Sequence, residues 1–66
     1  MVPPFDIFRT VNGQVLWVEA ALTLDDAKVR VKELMKARPA VYLIVSQITG
    51  NKIFLKPGDS EWSSVS

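Results

Sequence analysis

The chain has 66 residues, with eight Lys and Arg against seven Asp and Glu, no His and no Cys, and 48% of its residues are hydrophobic. That length allows one domain. The composition excludes a disulfide, a Cys nucleophile, a Ser-His pair and any zinc site built on His or Cys, and the near balance of charge gives no overall field to draw the chain to nucleic acid or membrane.

A chain this short is close to the lower limit of autonomous folding. Ordering each residue costs roughly 1.5 kcal/mol, which a small core barely offsets. With no disulfide and no metal site expected, a partner chain is the remaining extra source of stability, and the high apolar content points the same way. The longest uninterrupted apolar run, Ala40 to Val45, has six residues, against about twenty for a membrane-spanning helix. The start, Met1-Val2-Pro3-Pro4, lacks the basic region of a signal peptide. A cytoplasmic protein without membrane association is expected, and the lack of Cys fits a reducing compartment.

Pro3-Pro4 extends the chain into Phe5-Asp6-Ile7-Phe8-Arg9-Thr10-Val11, a run of β-favouring residues. Asn12 and Gly13 both tolerate positive φ and suit a two-residue hairpin turn. Gln14 to Ala20 is the return strand. A two-residue loop pairs Val11 with Gln14, Arg9 with Leu16, Phe8 with Trp17 and Ile7 with Val18. Thr23 is then a helix N-cap, with Asp26 three residues on. Asp25 and Asp26 sit at the positive end of the helix dipole, Lys36 and Arg38 at the negative end. Leu24, Ala27, Val31, Leu34 and Met35 recur at helical spacing. Arg38-Pro39 stops the helix. Val41 to Ile48 reads as a strand, Thr49-Gly50-Asn51-Lys52 as a turn, and Ile53-Phe54-Leu55 as the return. The predicted fold is α+β: a single ββαββ domain over residues 1–58, with a four-stranded, mainly antiparallel sheet and one helix on one face. Residues 59–66 hold four serines and no periodic pattern, and are expected to be a disordered tail. Trp62 within that tail is either a stray residue or one that folds back on an apolar surface.

Side chains alternate along a strand, so each strand residue can be assigned to a side. On the first hairpin Phe5, Ile7, Leu16, Val18 and Ala20 share one face; Phe8, Val15 and Trp17 share the other. On the second, Tyr42, Ile44, Ile48, Ile53 and Leu55 share one face; Val41, Leu43, Val45 and Phe54 share the other. One helix covers one side. The richer aliphatic set is expected beneath it, against Leu24, Val31, Leu34 and Met35. Phe8, Val15, Trp17, Val41, Leu43, Val45 and Phe54 are then left on a side that nothing else in the chain covers. Such a patch is uncommon on a monomer. Burying about 500 Å² of it at roughly 25 cal/mol per Å² contributes on the order of 12 kcal/mol before association costs. A homodimer packed sheet to sheet is the expected outcome. The alternative is a monomer whose open side is shielded by Trp62, Lys52 and Lys56.

The chemistry of catalysis is sparse. Asp6 and Glu19 are the one pair of carboxylates that strand pairing would set side by side, and a solvated rim accounts for them better than acid-base work. No glycine-rich phosphate loop is present. Neither an enzyme activity nor a cofactor nor a metal is expected. Lys28, Lys32 and Lys36 recur every four residues and form a basic row on the helix. Arg30 has Asp26 four residues before it and Lys36 has Glu33 three before it, so part of the charge is balanced along the helix. The row offers a phosphate-contacting ridge for nucleic acid, and an ordinary solvated helix face explains it better. Phe8, Trp17 and Phe54 offer stacking platforms for bases, but their neighbours are aliphatic rather than basic, which suits protein contact better.

The pieces Phe5-Asp6-Ile7-Phe8, Gly13, Trp17-Val18-Glu19-Ala20-Ala21, Thr23-Leu24-Asp25-Asp26-Ala27-Lys28, Tyr42-Leu43-Ile44-Val45 and Thr49-Gly50 resemble short uncharacterised bacterial proteins of ββαββ layout. The resemblance spans about residues 5 to 55. It implies a bacterial origin and a small stand-alone domain, and carries no activity or site residue with it. The function expected from the residues is self-association in an interaction module, with a nucleic-acid-binding regulator as the alternative.

Overall fold

The computed structural model describes residues 3–65, with side chains for 3–64. Met1, Val2 and Ser66, the ends of the predicted domain and tail, lie outside the described residues. Strands β1 (Phe5–Val11) and β2 (Gln14–Ala21) are followed by helix α1 (Leu24–Ala37) and strands β3 (Val41–Ser46), β4 (Lys52–Leu55) and β5 (Ser63–Val65). All five strands form one sheet in the order β2-β1-β3-β4-β5, and every neighbouring pair is antiparallel.

The α+β class, the single helix and the antiparallel pairing agree with the sequence reading. The strand count does not: the sheet has five strands rather than four. The fifth, Ser63–Val65, falls in the segment 59–66 read as a disordered tail. Backbone pairing of Ile53 with Ser64 and of Phe54 with Ser63 needs no apolar side chain on the added strand, which is why a serine-rich segment gave no strand signal. Trp62 stands just before β5 and packs against the core. It therefore serves the helix side, rather than shielding the open side.

The strand order also settles which strand is central. It is β3, the stretch that is apolar at nearly every position. Its alternate residues supply the covered face and the open face, and both sets are apolar. β3 ends at Ser46, earlier than predicted. Gly50 N–H donates to Ser46 O, and Ser46 N–H donates to Asn51 O, so residues 47–50 make the turn. Ile48 is thereby lifted out of the strand and left 79% exposed, rather than on the helix side.

The first hairpin turns at Asn12 and Gly13, both at positive φ, and Val11, Arg9 and Phe8 meet Gln14, Leu16 and Trp17 as predicted. The register then shifts. Ile7 lies opposite Glu19, not Val18, so β2 carries a bulge. Val18 packs against the core, and Glu19 next to it meets Arg30 of the helix. Beyond the bulge the sides are exchanged: Ala21 packs on the core, while Ala20 pairs with Asp6 on the opposite side.

Thr23 caps α1, its hydroxyl accepting from Asp26 N–H at 3.1 Å. Ala27 and Val31 are fully buried, and with Ile7, Tyr42, Ile44 and Leu55 they form the core. The Tyr42 hydroxyl sits among apolar groups, yet it donates to Arg38 O at 2.9 Å and Leu34 O at 3.3 Å. It thereby ties the central strand to the end of the helix, adding a second donor at Leu34 O, which also accepts from Arg38 N–H, and supplying one at Arg38 O. α1 packs over β1, β2 and β3 and makes no close approach to β4. Leu34, Met35 and Trp62 extend the core around its edges.

Candidate interaction face

The side of the sheet away from α1 is built by strand register. Trp17 pairs with Phe8, Phe8 with Leu43, Leu43 with Phe54 and Phe54 with Ser63. These residues form one row running across all five strands. A second row runs Ala20, Asp6, Val45, Lys52, Val65, and a third runs Val15, Thr10, Val41. Partners directly opposite on neighbouring strands point to the same side. Phe8, Val15, Trp17, Val41, Leu43, Val45 and Phe54 therefore share one face, and no element of the described residues lies over it.

Exposure varies along this face. Trp17 is 60% exposed and Val15 57% exposed. Phe8, Val41, Leu43, Val45 and Phe54 are half-buried, flanked by neighbouring strands but not capped from above. The exposed indole of Trp17 is fixed in orientation, since its Nε1–H donates to Asp6 Oδ1 at 3.2 Å. The other oxygen of Asp6 accepts from Gln47 Nε2 at 2.6 Å. Gln47 is also anchored through its backbone, where its N–H donates to Pro4 O at 2.8 Å. On the opposite flank Lys56 Nζ stands 5.9 Å from the centroid of the Phe54 ring, within cation–π range. Lys52 shares the face with Asp6 and lies two strands away from it.

The expected pairing of Asp6 with Glu19 does not occur. The bulge turns Glu19 to the helix side, where its Oε1 accepts from Arg30 Nε at 2.5 Å. Arg30 also bonds Glu33 at 3.3 Å, rather than Asp26. The hydrogen bond that Arg30 donates to Glu19, reinforced by the negative charge of Glu19, raises the pKa of the Arg30 guanidinium above its ordinary value. Asp6 remains on the open face as an orienting acceptor for Trp17, a role sequence reading missed. A bulge leaves almost no mark in sequence, and both consequences depend on it.

Lys28, Lys32 and Lys36 lie along α1, with Lys28 half-buried and the other two exposed. They are on the opposite side of the sheet from Phe8, Trp17 and Phe54. The two features that suggested nucleic acid thus belong to separate surfaces. Among the described residues no three His, Cys, Asp or Glu side chains gather as a metal site, and no helix is long and apolar enough to cross a membrane.

A concavity of about 310 Å³ opens at the other side of the sheet, where Leu24 at the start of α1 faces Phe5, Ile44 and Ile53. Its polar lining is already engaged in the β3–β4 turn. Ser46 Oγ accepts from Thr49 N–H at 3.3 Å, and Thr49 Oγ1 accepts from Asn51 N–H at 3.2 Å. It is a gap left by a helix set off-centre on the sheet, with no convergent polar groups to orient a ligand.

Comparison with protein-family models, with curated proteins and with solved structures returns no match for the chain.

Proposed function

We propose that this chain is a self-associating interaction module, whose open sheet face packs on the same face of a second copy. The observation that carries the reading is the row Trp17, Phe8, Leu43, Phe54 on the side away from α1, flanked above and below by Val15, Val41 and Val45. Aromatic groups in an aliphatic setting suit the dry centre of a protein interface, and β-layers commonly pack face to face about 10 Å apart.

Size supports a second copy as the occupant. Five strands about 4.8 Å apart and roughly six residues long outline about 480 Å² in projection. The corrugated accessible area exceeds this projection, and a standard interface buries roughly 800 Å² per partner. Charge supports it as well. Within its strands the face carries one acid, Asp6, and one base, Lys52, with Lys56 beyond the end of β4 lying over Phe54, and among the described residues none of the three makes an ion pair within its own chain. A face with an acid and a base set on either side of an apolar centre is suited to meet itself.

Sedimentation of the native chain and of the Trp17→Glu and Leu43→Lys variants tests the reading. The native chain is expected to run as a dimer at micromolar concentration, and both variants as folded monomers by circular dichroism. A native chain that stays monomeric up to about 100 μM would have a dissociation constant too weak for the role, and the reading would fall. Salt-sensitive binding of an oligonucleotide by such a monomer, reduced when Lys32 is neutralised, would instead favour the nucleic-acid alternative.

A further inference from the structure

The arrangement of charge on the open face limits how two copies can meet. A symmetric dimer of stacked sheets has its two-fold axis lying between them, parallel to the sheets. For sheets packed with their strands nearly aligned, such an axis runs close to the strand direction or close to the perpendicular to it. Each choice dictates which residue of one copy meets which residue of the other.

Take first an axis along the strands. Placed over β1, it sets Asp6 against Asp6 of the second copy. Placed over β4, it sets Lys52 against Lys52. Placed over β3, it exchanges β1 with β4 and β2 with β5, because the order β2-β1-β3-β4-β5 has β3 at its centre. Asp6 then meets Lys52 twice, since both stand in the same row, one strand to either side of Val45. In the next row Phe8 meets Phe54, Leu43 meets Leu43, and Trp17 meets Ser63. The bulkiest side chain of the row thus falls opposite one of the smallest, so large and small interlock.

Consider next an axis across the strands. Each strand then lies over its own copy. Through the Asp6–Lys52 row, this sets like charge on like charge. Through the Phe8–Leu43 row, it moves Asp6 over Thr10 and Lys52 toward Lys56, so that neither meets a charge of opposite sign. Burying like charges together, or one charge alone, is costly in an interface.

We infer that the two copies meet about a two-fold axis running along β3, with Asp6 of each paired to Lys52 of the other and the β3 strands parallel. This inference rests on the self-association proposed above and adds its register. It assigns Lys52 and Asp6 as the residues that specify the partner, and Leu43 and Val45 as the self-contacting centre. The Asp6 carboxylate is already directed by Trp17 and Gln47, so each copy presents its acid in a fixed position.

Two experiments separate this register from the association itself. The first mixes charge variants. Asp6→Lys and Lys52→Asp are each expected to weaken the homodimer at least about tenfold, as two repelling contacts replace two attracting ones. An equimolar mixture is expected to recover near-native affinity as a heterodimer, because every contact in it is again between unlike charges. Loss of the Asp6 bonds to Trp17 and Gln47 would weaken Asp6→Lys alone, and would not be repaired by mixing. The second uses the absence of Cys from the chain. Val45→Cys is expected to cross-link to itself with a short bis-maleimide, whereas Ser63→Cys, on an outer strand, is not. A native chain that is monomeric throughout overturns both proposals. A native dimer whose charge variants fail to complement, or which cross-links through Ser63→Cys and not Val45→Cys, overturns the register and leaves the association standing.

Discussion

Ile44 and Leu43 are neighbours on the central strand and face opposite worlds. Ile44 is 1% exposed, enclosed by Ile7, Val31 and the rest of the core. Leu43 is just as apolar and stands over a half-open surface between Phe8 and Phe54. The difference lies in supply. The chain has one helix for two greasy sides, and the bulge in β2 draws even Val18 and Glu19 toward the side the helix occupies. The helix side is therefore largely covered within one copy, and the open side is not. Stability should depend on the first at any concentration, and on the second only as far as copies meet.

The largest expected effect tests that division. Ile44→Ala should cost about 2–5 kcal/mol, a large share of what a domain of this size has in total. The loss should be nearly the same in dilute and concentrated samples. Leu43→Ala should cost less in dilute urea titrations, with a gap to the native chain that widens as concentration rises. Denaturation at two protein concentrations distinguishes the two. Equal, concentration-independent losses for both would abolish the contrast between the sides.

Tyr42→Phe sharpens the account of the helix side. The hydroxyl is the only polar atom donated from the sheet to the end of α1 by this residue, and it serves Arg38 O and Leu34 O. Its removal should cost about 1 kcal/mol, because Arg38 O loses a donor while Leu34 O keeps the bond from Arg38 N–H. Hydrogen exchange should speed up in the last turn of α1 and change little at the first hairpin. A uniform change across the chain would show that Tyr42 acts through packing alone. Thr23→Ala should cost about 1 kcal/mol through loss of the bond to Asp26 N–H, read as a shift in urea midpoint without change in sedimentation.

What the sequence made legible follows the same division. Local signals were strong wherever one residue type does one job: Asn12-Gly13 for the turn, Thr23 for the cap, Pro39 for the stop, alternation in β3 for its two sides. The seven residues expected together on the open side do share that side. The misses arose where backbone geometry acts without side-chain preference. The bulge at Val18 exchanges Ala20 with Ala21, two residues that no alternation can tell apart. β5 joins by backbone hydrogen bonding through serines. Ile48 looked like strand, but the turn was set by the Ser46 and Asn51 ladder ends and by Gly50 at positive φ. The strand order, which fixes Asp6 and Lys52 at equal distances from β3, is a property of long-range pairing and had no local signal.

The smallest expected effect concerns the bulge. Glu19 meets Arg30 only because the register shift turns it toward the helix. Without that shift it would lie on the open side, near Asp6 and within the proposed interface. Glu19→Gln should therefore lower stability by less than removal of the Thr23 cap, and leave the sedimentation of the native dimer unchanged. A shift in self-association would mean that Glu19 faces the second copy and that the strand runs without its bulge. pH offers a further check on the same contact. The pKa of Arg30 is raised in the folded chain by the Glu19 hydrogen bond and charge. A raised folded value gives a contribution that is complete below the ordinary arginine range and is lost only as pH rises through the raised value. Between about pH 6 and pH 9 the guanidinium keeps its proton in both folded and unfolded chains. The difference in urea midpoint between native and Arg30→Gln chains should thus be constant across that window. A difference that grew or vanished within it would assign the titration to a group other than Arg30.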